Sequence, residues 1–420
     1  MKLFSQVSVK KIFLLALVIR FLLIPLSFHS DLNNNEIWGI YAGEFGLRGF
    51  YDWLNFGNYA RPDYPPLAMV ILLALRFVWQ FIFNILWEIN VAIPLFPSDL
   101  VTWFDEFGFI ALIKLPGIFA DMALGFLIFK FAKGKTKQPI IYASYFLLNP
   151  AIIYLSSSWG QFDSTVTLFA LLTIVSLPNH KYFQALTYYF ISIMTKATFV
   201  PITPILLIQS IKQRISLKTS LLLIFLVILY SYILGFFFID KNPAIWLFNL
   251  YTRKIIQGAV TLPYINLNAF NFWGIVLGLE RVEDNLQILR LSLKTWAYLI
   301  SLPFLLLILR KFTKGAELIH TVIILYFTIF MFFPRVHERY LYPAIALFPL
   351  LLVQKPKLKK IYLVASFIFF LNLYHWWWFP NIPPLVFLLD LELVERLLSF
   401  ANLTIFFLLF HRYLSTKIEK

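Results

Sequence analysis

The sequence contains no cysteine and few charged residues. Without a thiol, the chain can form no disulfide, no zinc–thiolate site and no cysteine nucleophile. Asp, Glu, Lys and Arg make up 14% of its 420 residues, whereas soluble domains carry roughly 25%. Walker loops, GxGxxG and HExxH motifs and heptad arrays are also absent. The sequence therefore lacks the common nucleotide-binding and zinc-protease signatures, and water is not its main solvent.

The chain is rich in apolar residues. They make up 60% of the chain, and the mean hydropathy is +0.78. Windows such as 221–239 and 361–378 are long enough to cross about 30 Å of hydrocarbon as helices. The N-terminal lysines precede an apolar run without a small-residue cleavage site, which indicates a retained first span. We predict an all-α, polytopic helical membrane protein that folds as one domain over residues 1–420.

The formal net charge is +15. In a soluble protein this excess would suggest nucleic acid, but here the basic residues lie in short loops between apolar spans, so we expect no nucleic-acid partner. Seven basic clusters hold 21 of the 36 Lys and Arg residues and only one of the 21 acids, which places them on the cytoplasmic side. The clusters lie at 2–11, 130–137, 181, 212–218, 310–314, 355–360 and 412–420.

Twelve crossings satisfy this charge distribution and bring both termini to the cytoplasm. They leave a large first outer loop at about 29–106 and another outer loop at about 240–294. The predicted spans are, with ends uncertain by about 2–4 residues, 12–28, 107–129, 139–156, 164–179, 182–196, 197–211, 219–239, 295–309, 316–333, 341–354, 361–378 and 398–413.

The apolar stretch 67–86 does not fit this alternation. Counting it as a span would move the cluster that begins at Lys130 to the outside, and Arg76 interrupts it. We interpret the stretch as an interfacial or re-entrant helix within the first outer loop. The alternative is an ordinary span with a second crossing near 90–104.

The segment 333–343, Phe-Pro-Arg-Val-His-Glu-Arg-Tyr-Leu-Tyr-Pro, sets four ionisable side chains within five residues between two apolar runs. Charges so close to a bilayer are costly and indicate a function, and cationic donors favour an anionic group such as a phosphate. The charge topology places this segment on the outer face with 29–31, 63–66, 159–163 and Lys196. Polar groups gathered on one face predict a site that opens away from the cytoplasm.

Several outer residues are candidates for chemistry. Asp31 follows the first span directly, where a carboxylate can act as a general base or cap a helix. Asp63 and Tyr64 precede two prolines in a rigid, extended segment. Gln161 and Asp163 lie in a turn between two spans and can hydrogen-bond a sugar, although Asp163 can also cap the helix that follows.

Other features have both structural and functional interpretations. Lys196 ends an apolar helix, where it either anchors at the outer headgroups or neutralises a lipid phosphate. Lys114 and Asp121 lie two turns apart on one helical face, which indicates an intramembrane ion pair or contacts to other helices. The Trp run at 376–378 is typical of an interfacial aromatic belt. The Asn- and aromatic-rich segment 262–273 could line a sugar site.

With these residues on one face, the chain resembles the GT-C glycosyltransferases, polytopic enzymes that use polyprenyl-phosphate sugars, and especially the prokaryotic GPI-mannosyltransferase-like integral membrane proteins. The resemblance covers about residues 10–345 and consists of an acid after the first span, a Tyr-Pro-Pro-Leu segment, a Gly-x-Phe-Asp turn, a Lys ahead of a Pro and a late His-Glu-Arg segment. In this sequence these are Asp31, Tyr64–Leu67, Gly160–Asp163, Lys196 and His337–Tyr340.

This resemblance implies transfer of a hexose, mannose or glucose, from a polyprenyl-phosphate donor to a lipid, glycan or protein acceptor on the non-cytoplasmic face. It implies an inverting single displacement with Asp31 as the catalytic base. The expected ligands of the donor phosphate are Lys196, Arg335, His337 and Arg339. The expected substrate-binding or supporting residues are Glu36, Asp63, Tyr64, Gln161, Asp163, Glu338 and Tyr340.

The remaining expectations concern cofactors, location and the main alternative. No cofactor and no metal ligand are expected, but a divalent metal stays open because some relatives carry an Asp-x-Asp pair where this chain has Asp31, Leu32 and Asn33. The membrane is expected to be the plasma membrane of a prokaryote or the ER membrane of a eukaryote, with its lipids as partners. The alternative function is a multi-spanning transporter or flippase of lipid-linked sugars, which would use Lys114 and Asp121.

Overall fold

The computed structural model describes residues 8–52, 56–57, 59–255 and 262–416. Three basic residues that contributed to the charge topology lie outside these ranges, as do 53–55, 58 and 256–261 of the two predicted outer loops. The three basic residues are Lys2, Lys417 and Lys420. The described chain is almost entirely helical, which confirms the all-α class.

The helices follow one another with short connections. In chain order they are α1 (Val9–Leu23), α2 (Ser30–Phe45), α3 (Pro66–Ala92), α4 (Ser98–Ala132), α5 (Pro139–Leu147), α6 (Pro150–Ile153), α7 (Asp163–Ser176), α8 (Tyr182–Thr195), α9 (Thr203–Lys212), α10 (Leu217–Phe236), α11 (Pro243–Leu250), α12 (Phe272–Leu277), α13 (Leu293–Thr313), α14 (Leu318–Phe332), α15 (Tyr342–Gln354), α16 (Lys359–Trp376), α17 (Pro383–Leu389) and α18 (Glu392–Ser415).

Shorter elements complete the described chain. The 3₁₀ turns are Ile24–Leu26, Phe50–Asp52, Ala197–Ile202 and Pro356–Leu358, and the π-helical turns are Tyr154–Trp159 and Tyr251–Ile255. The strands are β1 (Asn266–Leu267), β2 (Gln287–Ile288), β3 (Leu291–Ser292) and β4 (Val336–His337). Strand β1 pairs in parallel with β4, and β2 pairs antiparallel with β3. The β1–β4 pair ties the second outer loop to the segment 335–340.

The predicted spans coincide with these helices, and most ends agree within a few residues. By length and composition, five described helices can cross a membrane, and two bent helix pairs bring the number to seven if each pair is one crossing. Four further apolar segments are shorter, with 10 to 17 residues. These helices are compatible with an integral membrane protein, while the number of twelve crossings stays a prediction. The five long helices are α3, α4, α10, α13 and α18.

Helix α3 contains the stretch 67–86, which we interpreted as an interfacial or re-entrant helix. It is a single continuous helix of 27 residues, so the chain makes no re-entrant reversal within it. Its length and hydropathy are those of a membrane-crossing helix, and 17% of its most apolar window is buried. Helix α4 follows after five residues and begins at Ser98, nine residues before the predicted start at 107. The pair therefore forms a long apolar hairpin ahead of the Lys130 cluster.

The described residues form two large hydrophobic cores and a small third cluster of Ile265, Trp273, Leu293 and Ala297. The larger core joins residues of α1, α5–α7, α14–α16 and α18, and it includes Trp159 and Leu341. The second core joins residues of α2, α3, the first half of α4 and α11, and it includes Leu32, Phe162 and Met194. Because these five residues flank the predicted outer-face motifs, those motifs lie where the two cores meet.

A buried polar cluster fastens α1 to α4 and α7. Arg20 Nε donates to Asp121 Oδ2 at 2.9 Å, and both side chains are fully buried. Ser164 Oγ donates to the other Asp121 oxygen at 2.6 Å. Lys114 Nζ donates instead to the carbonyl oxygens of Ile24 and Ser27. Lys114 and Asp121 therefore contact other parts of the chain and do not pair with each other, as one of the two sequence interpretations predicts.

Candidate functional site

The bend between α1 and α2 presents Asp31. The two helices meet at 83°, and Lys114 holds the turn by its bonds to the Ile24 and Ser27 carbonyls. Helix α2 is capped by His29, whose Nδ1 accepts the Asp31 N–H at 3.0 Å. Asp31 therefore does not cap the helix, and its carboxylate is available for other contacts.

Asp31 accepts two hydrogen bonds on one oxygen. Oδ2 lies 3.1 Å from Trp159 Nε1 and 2.8 Å from Gln161 Nε2, and Arg339 Nη2 lies 3.8 Å away. Burial alone would raise the pKa of this carboxyl, but Arg339 and the Trp159 N–H outweigh that effect and hold the pKa below its ordinary value. The side chain is 34% exposed. Asp31 is thus ionised at neutral pH, with Oδ1 free of the Trp159 and Gln161 donors.

His29 is a site residue that the sequence analysis did not single out. Its ring stacks on Trp159 at 4.2 Å and meets the edge of Trp377 at 4.9 Å. Burial lowers the pKa of His29 to about 4, and Nδ1 is an acceptor, so the neutral ring carries its proton on Nε2. Trp377 packs behind the site and does not face lipid, whereas Trp376 and Trp378 are exposed as an interfacial belt predicts.

The turn at 159–163 is shaped by a π-helix. The N–H groups of Gly160 and Gln161 both donate to the Leu155 carbonyl, which widens the last helical turn. Such bulges are frequent at functional sites. Gly160 has φ +82°, and a Cβ there would lie 2.7 Å from Leu32 Cδ2. Glycine is therefore required at 160 both for the left-handed backbone and for close approach to the residue that follows Asp31.

Gly160→Ala should destabilise the protein more than Gly134→Ala. Gly134 has φ +85° with open space around its Cβ, so Ala there carries only the left-handed backbone cost of about 1–2 kcal/mol. At Gly160 the displacement of Leu32 adds to that cost. Thermal unfolding of both purified variants in detergent measures the difference. Equal losses of stability would show that the Leu32 contact is unimportant.

Gln161 links Asp31 to Lys196. While its Nε2 donates to Asp31, its Oε1 accepts from Tyr64 OH at 3.0 Å and from Lys196 Nζ at 3.1 Å. Lys196 Nζ also pairs with Asp163 Oδ2 at 2.7 Å. Asp163 therefore holds a cation and makes no side-chain cap on α7. The structure brings together five sequence-predicted residues from four separate parts of the chain.

The segment 335–340 supplies the opposite wall. Arg339 Nη1 donates to Glu338 Oε1 at 2.7 Å, and Glu338 is almost fully buried. Burial would raise the pKa of Glu338, but Arg339 and His337 outweigh it and keep that pKa below its ordinary value. His337 Nδ1 lies 3.7 Å from the other Glu338 oxygen. Arg339 Nε is buried and finds no hydrogen-bond partner among the described residues.

Arg335, the first residue of this segment, forms an ion pair outside the segment. Its Nε donates to Asp284 Oδ2 at 2.6 Å, and its backbone N–H donates to the Ile265 carbonyl. The φ angle of Arg335 is +60°, which is uncommon for a residue with a Cβ. The β1–β4 pairing and the ion pair with Asp284 maintain this backbone. Asp284 lies in the second predicted outer loop, and no motif marked it in the sequence.

Asp63 and Tyr340 lie among the charges of these two walls, and we call the space between the walls the cleft. The residue Asp63 is exposed as a whole, and burial of its carboxyl raises its pKa against the opposing effect of Lys196 and Arg339. Burial likewise raises the pKa of Tyr340 to about 12. Glu36 lies further along α2, where burial raises its pKa to about 7 and Arg76 is the charge that acts on it.

The cleft is balanced in charge. The three cations predicted to bind phosphate each lie against a carboxylate, since Lys196 faces Asp163, Arg335 faces Asp284 and Arg339 faces Glu338. In the described ranges, no group of three His, Asp or Glu side chains is arranged to hold a metal ion.

The Asn-rich segment 262–273 is used for folding. Asn266 and Asn271 are buried and bond to backbone groups, so these two side chains do not line the cleft as free sugar ligands. No protein-family model and no curated protein matches this sequence.

Proposed function

We propose that this protein is a membrane glycosyltransferase that moves a hexose, mannose or glucose, from a polyprenyl-phosphate donor to a lipid, glycan or protein acceptor. The observation that supports it best is the setting of Asp31. This ionised carboxylate has one oxygen fixed by Trp159 and Gln161, its other oxygen free of those donors, and a guanidinium close by. General-base chemistry next to a cationic group requires this combination.

Asp31 would act through Oδ1. The acceptor hydroxyl gives its proton to this oxygen as its own oxygen attacks the anomeric carbon of the donor sugar. The bond from that carbon to the phosphate oxygen breaks on the opposite face, and polyprenyl phosphate leaves with the bonding electrons. One displacement inverts the anomeric configuration. The Trp159 and Gln161 bonds keep the carboxylate oriented before the acceptor arrives.

Arg339 and Lys196 would stabilise the leaving phosphate. Charge grows on the phosphate oxygens as the bond breaks, and cations fixed in a water-poor cleft stabilise that charge without reorganising. The free Arg339 Nε gives the guanidinium one unused donor. His337, as a neutral ring, can add an N–H. Of the four candidates, Arg335 has the weakest support as a phosphate ligand, because its Nε already donates to Asp284.

The proposed orientation has twelve crossings, both termini in the cytoplasm and the cleft facing outward. Helices α7, α8, α14 and α15 support it, because each has one end at the cleft and the other end beside a basic cluster. A transporter or flippase would use Lys114 and Asp121. Instead, Lys114 is occupied by backbone carbonyls and Asp121 by Arg20 and Ser164.

The test is sugar transfer by the purified protein in detergent. Radiolabelled polyprenyl-phosphate mannose, and separately glucose, would be incubated with an extract of host lipids and glycans. We expect label in a new product, with the anomeric configuration opposite to that of the donor, and none with Asp31→Asn. Absence of transfer from either donor, together with movement of the labelled lipid across proteoliposomes, would contradict the enzyme and support the flippase.

A further inference from the structure

A second cavity lies at the end of the molecule that carries the basic clusters. Its volume is about 700 Å³, and it lies between the turn that joins α15 to α16 and the last turns of α18. Lys355, Lys357, His411 and Arg412 line it, and none of its lining residues is acidic. None of the proposed glycosyltransferase chemistry uses these groups.

Hydrogen bonds of two lysines connect the elements around this basic cavity. Lys355 Nζ donates to His320 Nδ1 at 2.9 Å and to Thr416 Oγ1 at 3.0 Å. Lys311 Nζ donates to the Leu414 and Thr416 carbonyls and so caps the end of α18. These bonds connect α18 to α13 and connect the α15–α16 turn to α14 and α18.

The rim carries cations that no carboxylate among the described residues neutralises. Lys357 and Arg412 are exposed, and within the described part of the chain neither forms an ion pair. This contrasts with the cleft, where each cation has a carboxylate. Two unpaired cations at the mouth of a concave site favour a phosphate.

Apolar surface continues from this rim along two helices. Leu408 and Leu358 line the cavity, and α18 and α16 also expose large apolar side chains, among them Phe407 and Val364. A water-soluble phosphate compound has no hydrocarbon chain that could cover this apolar surface. The combination of a basic headgroup cavity and adjoining apolar helix faces matches one whole phospholipid.

We propose that this basic cavity binds an anionic phospholipid of the cytoplasmic leaflet. Lys357 and Arg412 hold its phosphate, and its acyl chains lie along the exposed faces of α16 and α18. The bound lipid bridges the α15–α16 turn to α18. The inference rests on the proposed membrane orientation but not on sugar transfer, so the two can fail separately.

Native mass spectrometry of the full-length protein in detergent tests this site. Delipidated protein would be titrated with phosphatidylglycerol and, in parallel, with zwitterionic phosphatidylcholine. We expect phosphatidylglycerol to bind more tightly, and Lys357→Gln/Arg412→Gln to weaken its binding roughly 30-fold, the factor for two ordinary headgroup contacts. Phosphatidylcholine carries the same phosphate with a neutralising choline, so its binding should weaken less than that of phosphatidylglycerol. The thermal midpoint of the lipid-free variant should stay near that of wild type.

The matched control is Lys130→Gln/Lys133→Gln. It removes the same charge from exposed residues of another basic cluster, so it should leave phosphatidylglycerol binding within about threefold of wild type. An equal loss in this control would overturn the site in favour of general surface attraction. Unchanged binding in the cavity variant would overturn it directly. Displacement of the lipid by millimolar inorganic phosphate would show a free-anion site and would overturn the lipid assignment.

Discussion

Asp31→Asn should lower the rate of sugar transfer by about 10²- to 10⁴-fold, the range for loss of a general base. The asparagine Oδ1 can take the place of Asp31 Oδ2 and keep the bonds from Trp159 and Gln161. Its amide nitrogen then replaces the free oxygen and can accept no proton. We therefore expect the variant to fold and to bind donor, and to fail only in chemistry.

Initial rates at saturating donor and acceptor measure this effect, with Glu44→Gln as the control. Glu44 is an exposed carboxylate of the same helix, so its substitution makes the same charge change without touching the cleft. Asp31→Asn activity above about half of the wild-type rate would contradict the base assignment. A similar loss of activity in Glu44→Gln would show that the net charge of α2, and not the Asp31 carboxylate itself, determines the rate.

Arg339→Gln should destabilise the protein by about 3–5 kcal/mol, because it leaves Glu338 buried and without its partner. Glu338 is 1% exposed and Arg339 14% exposed, so water cannot replace the lost contact. The double variant Arg339→Gln/Glu338→Gln removes both charges and should recover most of that loss. The free energy of unfolding in mixed detergent micelles measures each variant.

The comparison pair for this experiment is Arg396–Glu392, which is exposed at 36% and 71%. Glu392→Gln should cost less than about 1 kcal/mol, as exposed ion pairs do. If Arg339→Gln were no more damaging than Glu392→Gln, the Arg339–Glu338 pair would not be buried in the working protein. If the double variant stayed as unstable as the single variant, Arg339 would stabilise the fold through contacts other than Glu338.

Much of the fold could be predicted from apolar length and charge distribution. The spans at 164–179 and 341–354 match α7 and α15 closely, because an apolar run bounded by polar residues predicts one helix regardless of tertiary contacts. The hairpin of α3 and α4 was harder to predict from the sequence. In the sequence, Arg76 argued against a membrane crossing at 67–86. In the structure, its guanidinium lies 3.8 Å from the Trp79 ring centroid, a contact that no local sequence pattern reports.

The site could be predicted as a set of residues but not as a set of partners. Asp31, Gln161 and Lys196 were recognisable because each lies in a polar segment directly at the end of an apolar span. That one Gln161 amide joins the other two depends on contacts across 35 and 130 residues of chain, which spacing does not encode. The same holds for His29, since a residue adjacent to a motif gives no sign that its ring stacks on Trp159.

The meeting of two cores has a consequence for how the cleft works. Asp31 precedes Leu32 of one core, and Arg339 lies two residues before Leu341 of the other. The 3.8 Å between their side chains is therefore set by how two packed bodies rest against each other, and not within either one. A small rocking of one body on the other would separate base from cation while leaving both interiors intact. A substrate that contacts both walls would fix the position of one body relative to the other.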